Sequence, residues 1–169
     1  RVRGVLPRAG SLQFLGLDTV AAAMRRKAEG YQHFAKVLGV DVARHGDDQS
    51  VTTRRQANHV WPQRKFRIPN LMELADVVAA EIHEFKPDAV FIDATGLGWG
   101  LIDRLRQMGF GQKLFAVQVG EKALATDRYW NKRSELWAAG KAWLEEGGCL
   151  PEDPEMETDL TGPQYGYDN

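Results

Sequence analysis

Residues 36–68, KVLGVDVARHGDDQSVTTRRQANHVWPQRKFRI, decide how this chain folds. After Lys36, the opening "KVLGVDVA" is apolar except for Asp41. Burial penalises an ionised carboxylate unless something compensates it, so an aspartate here asks for a strand end and a partner. The run reads as a buried strand, and Asp47 and Asp48 as part of a turn. "SVTTRRQ" reads as a second strand, and "HVWPQRKFRI" as a third in which Pro62 marks an edge or a bend. The loops between them are too short for crossovers, so the three strands form an antiparallel meander.

Working outward, helices begin to alternate with strands. "NLMELADVVAAEIHEF" carries a helical apolar stripe at residues 71, 74, 77, 78 and 82, capped by Asn70. "PDAVFIDA" reads as a fourth strand, "GWGLIDRLRQMG" as a helix ending at Gly109, and "KLFAVQVG" as a fifth strand. "ATDRYWNKRSELWAAGKAWLEEGG" reads as one longer helix, and the turn-rich tail holds a short helical stretch around residues 154–160. Helices of this length allow right-handed parallel crossovers. The expected fold is α/β and ribonuclease H-like, a mixed central sheet with an antiparallel three-strand meander plus parallel strands, flanked by helices. Residues 1–35 are expected to be a lead-in with a short helix, "DTVAAAMRRKAEG", capped by Asp18 and stopped at Gly30. Residues 36–169 form the compact domain. The chain opens at Arg1 and closes on "QYGYDN" without a final element, and is expected to be a piece of a longer protein.

The net charge is −1, so no global field announces a polyanion or a membrane. The distribution is uneven: residues 1–67 hold 13 Lys and Arg against 5 Asp and Glu, whereas residues 145–169 hold 8 acids and no base. A lone cysteine, Cys149, excludes an intrachain disulfide framework. It sits among acids in "EEGGCLPED", a poor setting for a nucleophile, so a structural role is expected. No apolar run approaches the length of a membrane helix.

Asp41 ends the first strand and Asp93 ends the fourth, in "VFIDATGLGWG". Either residue alone reads as a cap on the following turn. If the fourth strand lies parallel beside the first, however, both carboxylates emerge at one edge of the sheet. They repel each other, and Arg44 is the only nearby base on either strand. A divalent cation resolves this, and Mg²⁺ favours few carboxylates, several waters and a phosphate. The glycines of "ATGLGWG" match neither GxxxxGK[ST] nor GxGxxG, so a Walker-type loop is excluded and turn chemistry is expected.

"VLGVDVARHGDDQSV", "PDAVFIDATGLGWGLIDRL" and "NKRSELWAAGKAWLEEGGCLPED", in this order and spacing, resemble the nuclease domain of the large terminase subunit of tailed bacteriophages. The resemblance spans residues 37–169, and the lead-in resembles the segment joining this domain to the packaging ATPase. It implies a metal-dependent endodeoxyribonuclease that cuts concatemeric viral double-stranded DNA during genome packaging, with little sequence specificity. Asp41 and Asp93 match the family's first two metal-binding acids, and Asp48 matches the acid of its G-x-D turn as a further metal-side residue. The implied cofactor is Mg²⁺ or Mn²⁺ in a two-metal site. Implied partners are DNA, the ATPase domain of the parent chain, the small terminase subunit and the portal, in the host cytoplasm. One departure stands out. The family's third acid lies in a C-terminal "SPD…DA"-like stretch that this sequence does not contain, and Asp153, Asp159 and Asp168 sit outside that context.

DNA contacts are expected from Arg44, from Arg54 and Arg55 on the second strand, from Arg64 and Lys65 on the third, and from Lys132 and Arg133. Strand alternation must divide the hairpin residues between two faces. Trp130, Trp137 and Trp143 are expected to pack the long helix on the sheet. The four histidines lack ligand spacing, and only His45 lies in the metal-side turn. Two rival functions remain. One is another ribonuclease H-like nuclease, a junction resolvase or transposase-like enzyme; the other is a non-catalytic DNA-binding or portal-docking module.

Overall fold

The computed structural model describes residues 13–43 and 48–164. The meander forms as expected: β1 (Lys36–Asp41) pairs antiparallel with β2 (Ser50–Gln56), and β2 pairs antiparallel with both β3 (His59–Val60) and β4 (Arg64–Phe66). The third strand is split. Thr52 pairs with Arg64 but Arg55 with Val60, so the returning strand carries one extra residue across the break. Pro62 lies in that break, where its missing N–H costs no ladder bond.

α2 (Leu71–Phe85) leads to β5 (Ala89–Asp93), which pairs parallel with β1; α3 (Gly98–Gln107) leads to β6 (Leu114–Val117), which pairs parallel with β5. The sheet order is β3-β2-β1-β5-β6, with β4 beside β2. Leu38, Val40, Val90 and Ile92 turn one face of the sheet onto Leu74, Val78 and Ile82 of α2 and Leu101, Ile102 and Leu105 of α3, all buried. Strand alternation therefore sends Gly39, Asp41, Phe91 and Asp93 to the opposite face.

The α2 side also buries a charge. Glu81 is 1% exposed; its Oε2 accepts from the Thr52 hydroxyl at 2.7 Å, and its Oε1 accepts from Arg54 Nε at 2.7 Å. The Arg54 guanidinium also bonds Glu84, as does that of Arg64.

A second apolar cluster joins α1 (Leu17–Arg25), α4 (Lys132–Glu145) and α5 (Pro154–Thr161). Leu15, Val20 and Ala23 pack there with Leu144, beside Trp137, Trp143 and Leu160. The helix of the lead-in is thus packed into the domain. Arg26 fastens it by donating to the carbonyl of Leu144, in the last turn of α4, at 2.6 Å and to that of Gly148, just past the helix, at 3.0 Å. Cys149 is buried there, its N–H bonded to the Asn58 carbonyl at 2.7 Å, so the segment after α4 is tied to the β2–β3 turn.

Two helix boundaries differ from expectation. α1 is capped by Gly16 without a side-chain bond, Asp18 lies inside the first turn, and the helix ends at Arg25 well before Gly30. The long helix starts only at Lys132. Asn131 caps it by accepting from the Ser134 N–H, and the segment before it is held as a loop by Glu135, which accepts from the N–H groups of Leu124 and Ala125. A local cap and a carboxylate reaching backwards outweigh the helical propensity of "ATDRYW".

Candidate active site

The last parallel pair of β1 and β5 is Val40 with Ile92, so Asp41 and Asp93 follow side by side where the two strands end. Asp41 remains solvent-accessible, but its acidity is weakened. Partial loss of hydration in the cleft pushes its pKa up, the charge of Asp93 pushes it further, and the Val42 N–H opposes both. The two carboxylates are therefore electrostatically coupled. Asp93 is oriented by its own turn: Oδ1 accepts from the Thr95 N–H at 2.8 Å, leaving Oδ2 for the cleft.

The glycines after Asp93 have a packing reason. Gly96 has φ +68°, a left-handed turn, and a Cβ placed on Gly98 would land on the Asp93 carbonyl oxygen. The first turn of α3 thus rests directly on the backbone of the site residue. Gly98→Ala is expected to cost about 1–3 kcal/mol, the usual range for overpacking, and to shift Asp93. A thermal melt together with a Mn²⁺ titration checks both parts.

The pair opens into a cavity of about 1160 Å³. Asp48, Gln49, Thr53, Gln63, Lys65, Thr95 and Arg133 line it, and so do Glu155 and Asp159 of α5. Among the described residues no group of three or more His, Cys, Asp or Glu is placed to hold a metal ion, so the acids of α5 line the cavity without completing a ligand set.

The expected DNA-binding residues divide sharply. Lys65 and Arg133 line the cavity. Arg54 and Arg64 do not: both are committed to Glu84, and Arg54 also to the buried Glu81, on the α2 side of the sheet. Arg55 lies over the Trp143 ring at 6.0 Å and donates to the Ala57 carbonyl. Lys132 is paired with Glu135 at 2.6 Å. Even Lys65 is engaged, with Glu155 at 2.6 Å and Asp153 at 3.3 Å. Arg44, His45 and Asp47 lie outside the described residues. Alternation on β2 explains part of this division, because Thr52 and Arg54 share the α2 face while Val51 and Thr53 line the cavity. Trp130 also departs from expectation, at 82% exposed, while Trp137 and Trp143 do pack in the second cluster.

Reading the sequence did not bring Glu155, Asp159, Thr53 or Gln63 to the site. The one local signal was Asp153, whose side chain caps α5 by accepting from the N–H groups of Glu155 and Met156. Such a cap fixes where a helix begins and says nothing about what the helix faces.

The raised pKa of Asp41 has a consequence for stability. Because the folded value lies above the unfolded one, protonation favours the fold, and the ionised form costs stability at neutral pH. Without metal, Asp41→Asn is expected to raise Tm near pH 7 by only about 2 °C, since solvent screens an accessible group. The gain should vanish in acid, below the ordinary aspartate range. Melts in EDTA at the two pH values test this, and an equal gain at both would contradict it.

No protein-family model matches the chain, and no curated protein matches it. Solved structures do. The nuclease domain of the large terminase subunit gp2 of bacterial virus Sf6 superposes with a TM-score of 0.73 at 19% identity, over 92% of this chain and 84% of that one. A mutant of that domain, solved with manganese and beta-thujaplicinol, gives 0.74 at 19% identity over the same shares. The large terminase nuclease of thermophilic phage G20c with bound magnesium gives 0.68 at 15% identity, over 94% of this chain and 84% of that one. The chain has the ribonuclease H-like fold of the phage large-terminase nuclease domains.

Proposed function

We propose that this domain is a divalent-metal-dependent endonuclease that cuts double-stranded DNA, with Asp41 and Asp93 as its metal-holding pair. The observation that carries the reading is the side-by-side placement of two coupled carboxylates at the ends of parallel strands, in a cleft large enough for a nucleic-acid strand. The donor set fits Mg²⁺ or Mn²⁺, hard cations that take one or two carboxylates and complete their shells with water and phosphate oxygens. The similar Sf6 and G20c domains, solved with manganese and magnesium, support that choice.

Two such cations, when bound, supply Lewis acidity toward the phosphate and lower the pKa of water. The protein groups do the rest. Asp41 and Asp93 hold the site, and the Thr95 N–H keeps Asp93 in one orientation. Asp48 stands at the cavity wall as a further carboxylate, and Arg133 offers a positive charge to a phosphate. Hydrolysis adds a water oxygen to phosphorus and breaks the P–O3′ bond, and the leaving 3′-oxygen takes a proton. Nothing in the sequence resembles a major-groove reading element, so cleavage is expected to be nearly indifferent to sequence.

In its wider setting we read the domain as the nuclease part of a viral DNA-packaging enzyme acting in the host cytoplasm. Residues 1–35 would join it to an ATPase domain, and the small terminase subunit and the portal would be partners. Among the described residues no helix is long and apolar enough to cross a membrane. Nicking of supercoiled plasmid in Mg²⁺ or Mn²⁺, abolished by EDTA, is the expected behaviour. Metal-independent nicking, or tight DNA binding with no cleavage in either metal, would favour a binding module.

A further inference from the structure

The loop between β6 and α4 has both ends in the wall of the cleft. It leaves at Val117 and returns at Arg133, and both line the cavity that holds Asp41 and Asp93. Along this loop stand Leu124, 87% exposed, and Trp130, 82% exposed. Tryptophan is highly buried on average, so an indole held almost wholly in water, three residues before the cleft-lining Arg133, needs a reason.

The loop is braced. Glu135 accepts from the N–H groups of Leu124 at 3.1 Å and Ala125 at 3.0 Å. The Lys132 N–H donates to the Glu121 carbonyl at 2.7 Å, and the Arg133 N–H to that of Val119 at 3.0 Å. Trp130 is therefore presented on a fixed support. The loop is also cationic: residues 118–133 carry Lys122, Arg128, Lys132 and Arg133 against Glu121 and Asp127. Lys132 is spent on Glu135, but among the described residues Lys122, Arg128 and Arg133 make no ion pair. An exposed aromatic between cations that have no acidic partner, Arg128 among them lying over the Tyr129 ring at 5.7 Å, is a combination that binds nucleic acid, the ring taking a base or sugar face and the cations the phosphates.

We infer that this loop is a DNA wedge. Trp130 packs on a base or sugar of the strand whose phosphate lies in the cleft, while Arg133 and Arg128 hold phosphates on either side of that contact. The inference rests on the nuclease reading for what occupies the cleft, and it adds the residues that seat the duplex there. Charge favours DNA over a second copy of the chain, because two copies meeting at this loop would bring like charges together.

Binding of a short labelled duplex, followed by anisotropy in EDTA, separates the wedge from the chemistry. Trp130→Ala is expected to raise Kd about tenfold, within the range for loss of one base–aromatic stack, while Trp130→Phe recovers most of the affinity. The dependence on salt should be unchanged in Trp130→Ala but shallower by about one ion in Arg128→Gln. At sub-saturating DNA, metal-dependent nicking by Trp130→Ala should fall in step with its affinity. The side chain stands in solvent, so the variant should melt as the parent does. Unchanged affinity in Trp130→Ala overturns the wedge, even where nicking is robust. So does a change in self-association by sedimentation with DNA affinity unaltered. If nicking fails while affinity still depends on Trp130, the wedge stands and the nuclease reading falls.

Discussion

Asp93→Asn should lower metal-dependent nicking by roughly 10³-fold or more, because the metal contribution lost amounts to several kcal/mol of transition-state stabilisation. Asn keeps the shape and the bond from Thr95 but removes the charge that would hold the cation. Asp41→Asn should fall as far, and the double variant little further, since groups that serve one site do not add. Mn²⁺ affinity should drop with activity, while circular dichroism and the melt stay those of a folded domain. Nicking that survives either substitution would remove the carboxylate pair from the mechanism.

The largest effect on stability is expected elsewhere, at Glu81. Glu81→Ala removes the acceptor of both Thr52 and Arg54 and leaves a guanidinium, 15% exposed, short of its buried partner. Breaking a buried pair in this way costs about 3–5 kcal/mol, which for a chain of this size is a Tm lower by about 10 °C. The substitution lies on the α2 side of the sheet, away from the cleft. The folded fraction should therefore keep its metal affinity, and urea denaturation read beside a Mn²⁺ titration separates the two effects. Removing Arg54 as well should restore part of the loss, because an uncompensated charge is then no longer left behind. Glu84 behaves differently. Hydrogen bonds from Arg54 and Arg64 hold its carboxyl down at about 2. Since its folded value is depressed, its contribution is present above the ordinary glutamate range and fades as pH falls toward that value. The pairing is exposed, so the contribution is small.

Glu81 also illustrates what a sequence conceals. It sits inside "AAEIHEF" as one more acid on a helix, and Arg54 and Arg55 look equivalent on their strand. Alternation separates the two arginines, but the face that meets α2 is known only once the sheet is assembled. A basic hairpin read as a DNA surface is therefore largely internal pairing: Arg54 and Arg64 to Glu84, and Lys65 to Asp153 and Glu155 across 88 and 90 residues of chain.

Sequence alone determined the parts governed by short-range physics. Apolar runs broken by turn residues specified the strands, short and long connections separated the antiparallel meander from the parallel half, and Asn70 capped α2 as its position implied. The pairing of Asp41 with Asp93 was legible too, because parallel strands beginning in register end in register. Contacts between distant segments were decided by the tertiary structure. It seats α1 on α4 and α5, carries Glu155 and Asp159 to the cleft, and leaves Trp130 in solvent where helical periodicity would have buried it. The physical reason is the same in each case. A side chain's periodicity gives its direction relative to its own element, whereas burial and ion pairing depend on which other element arrives.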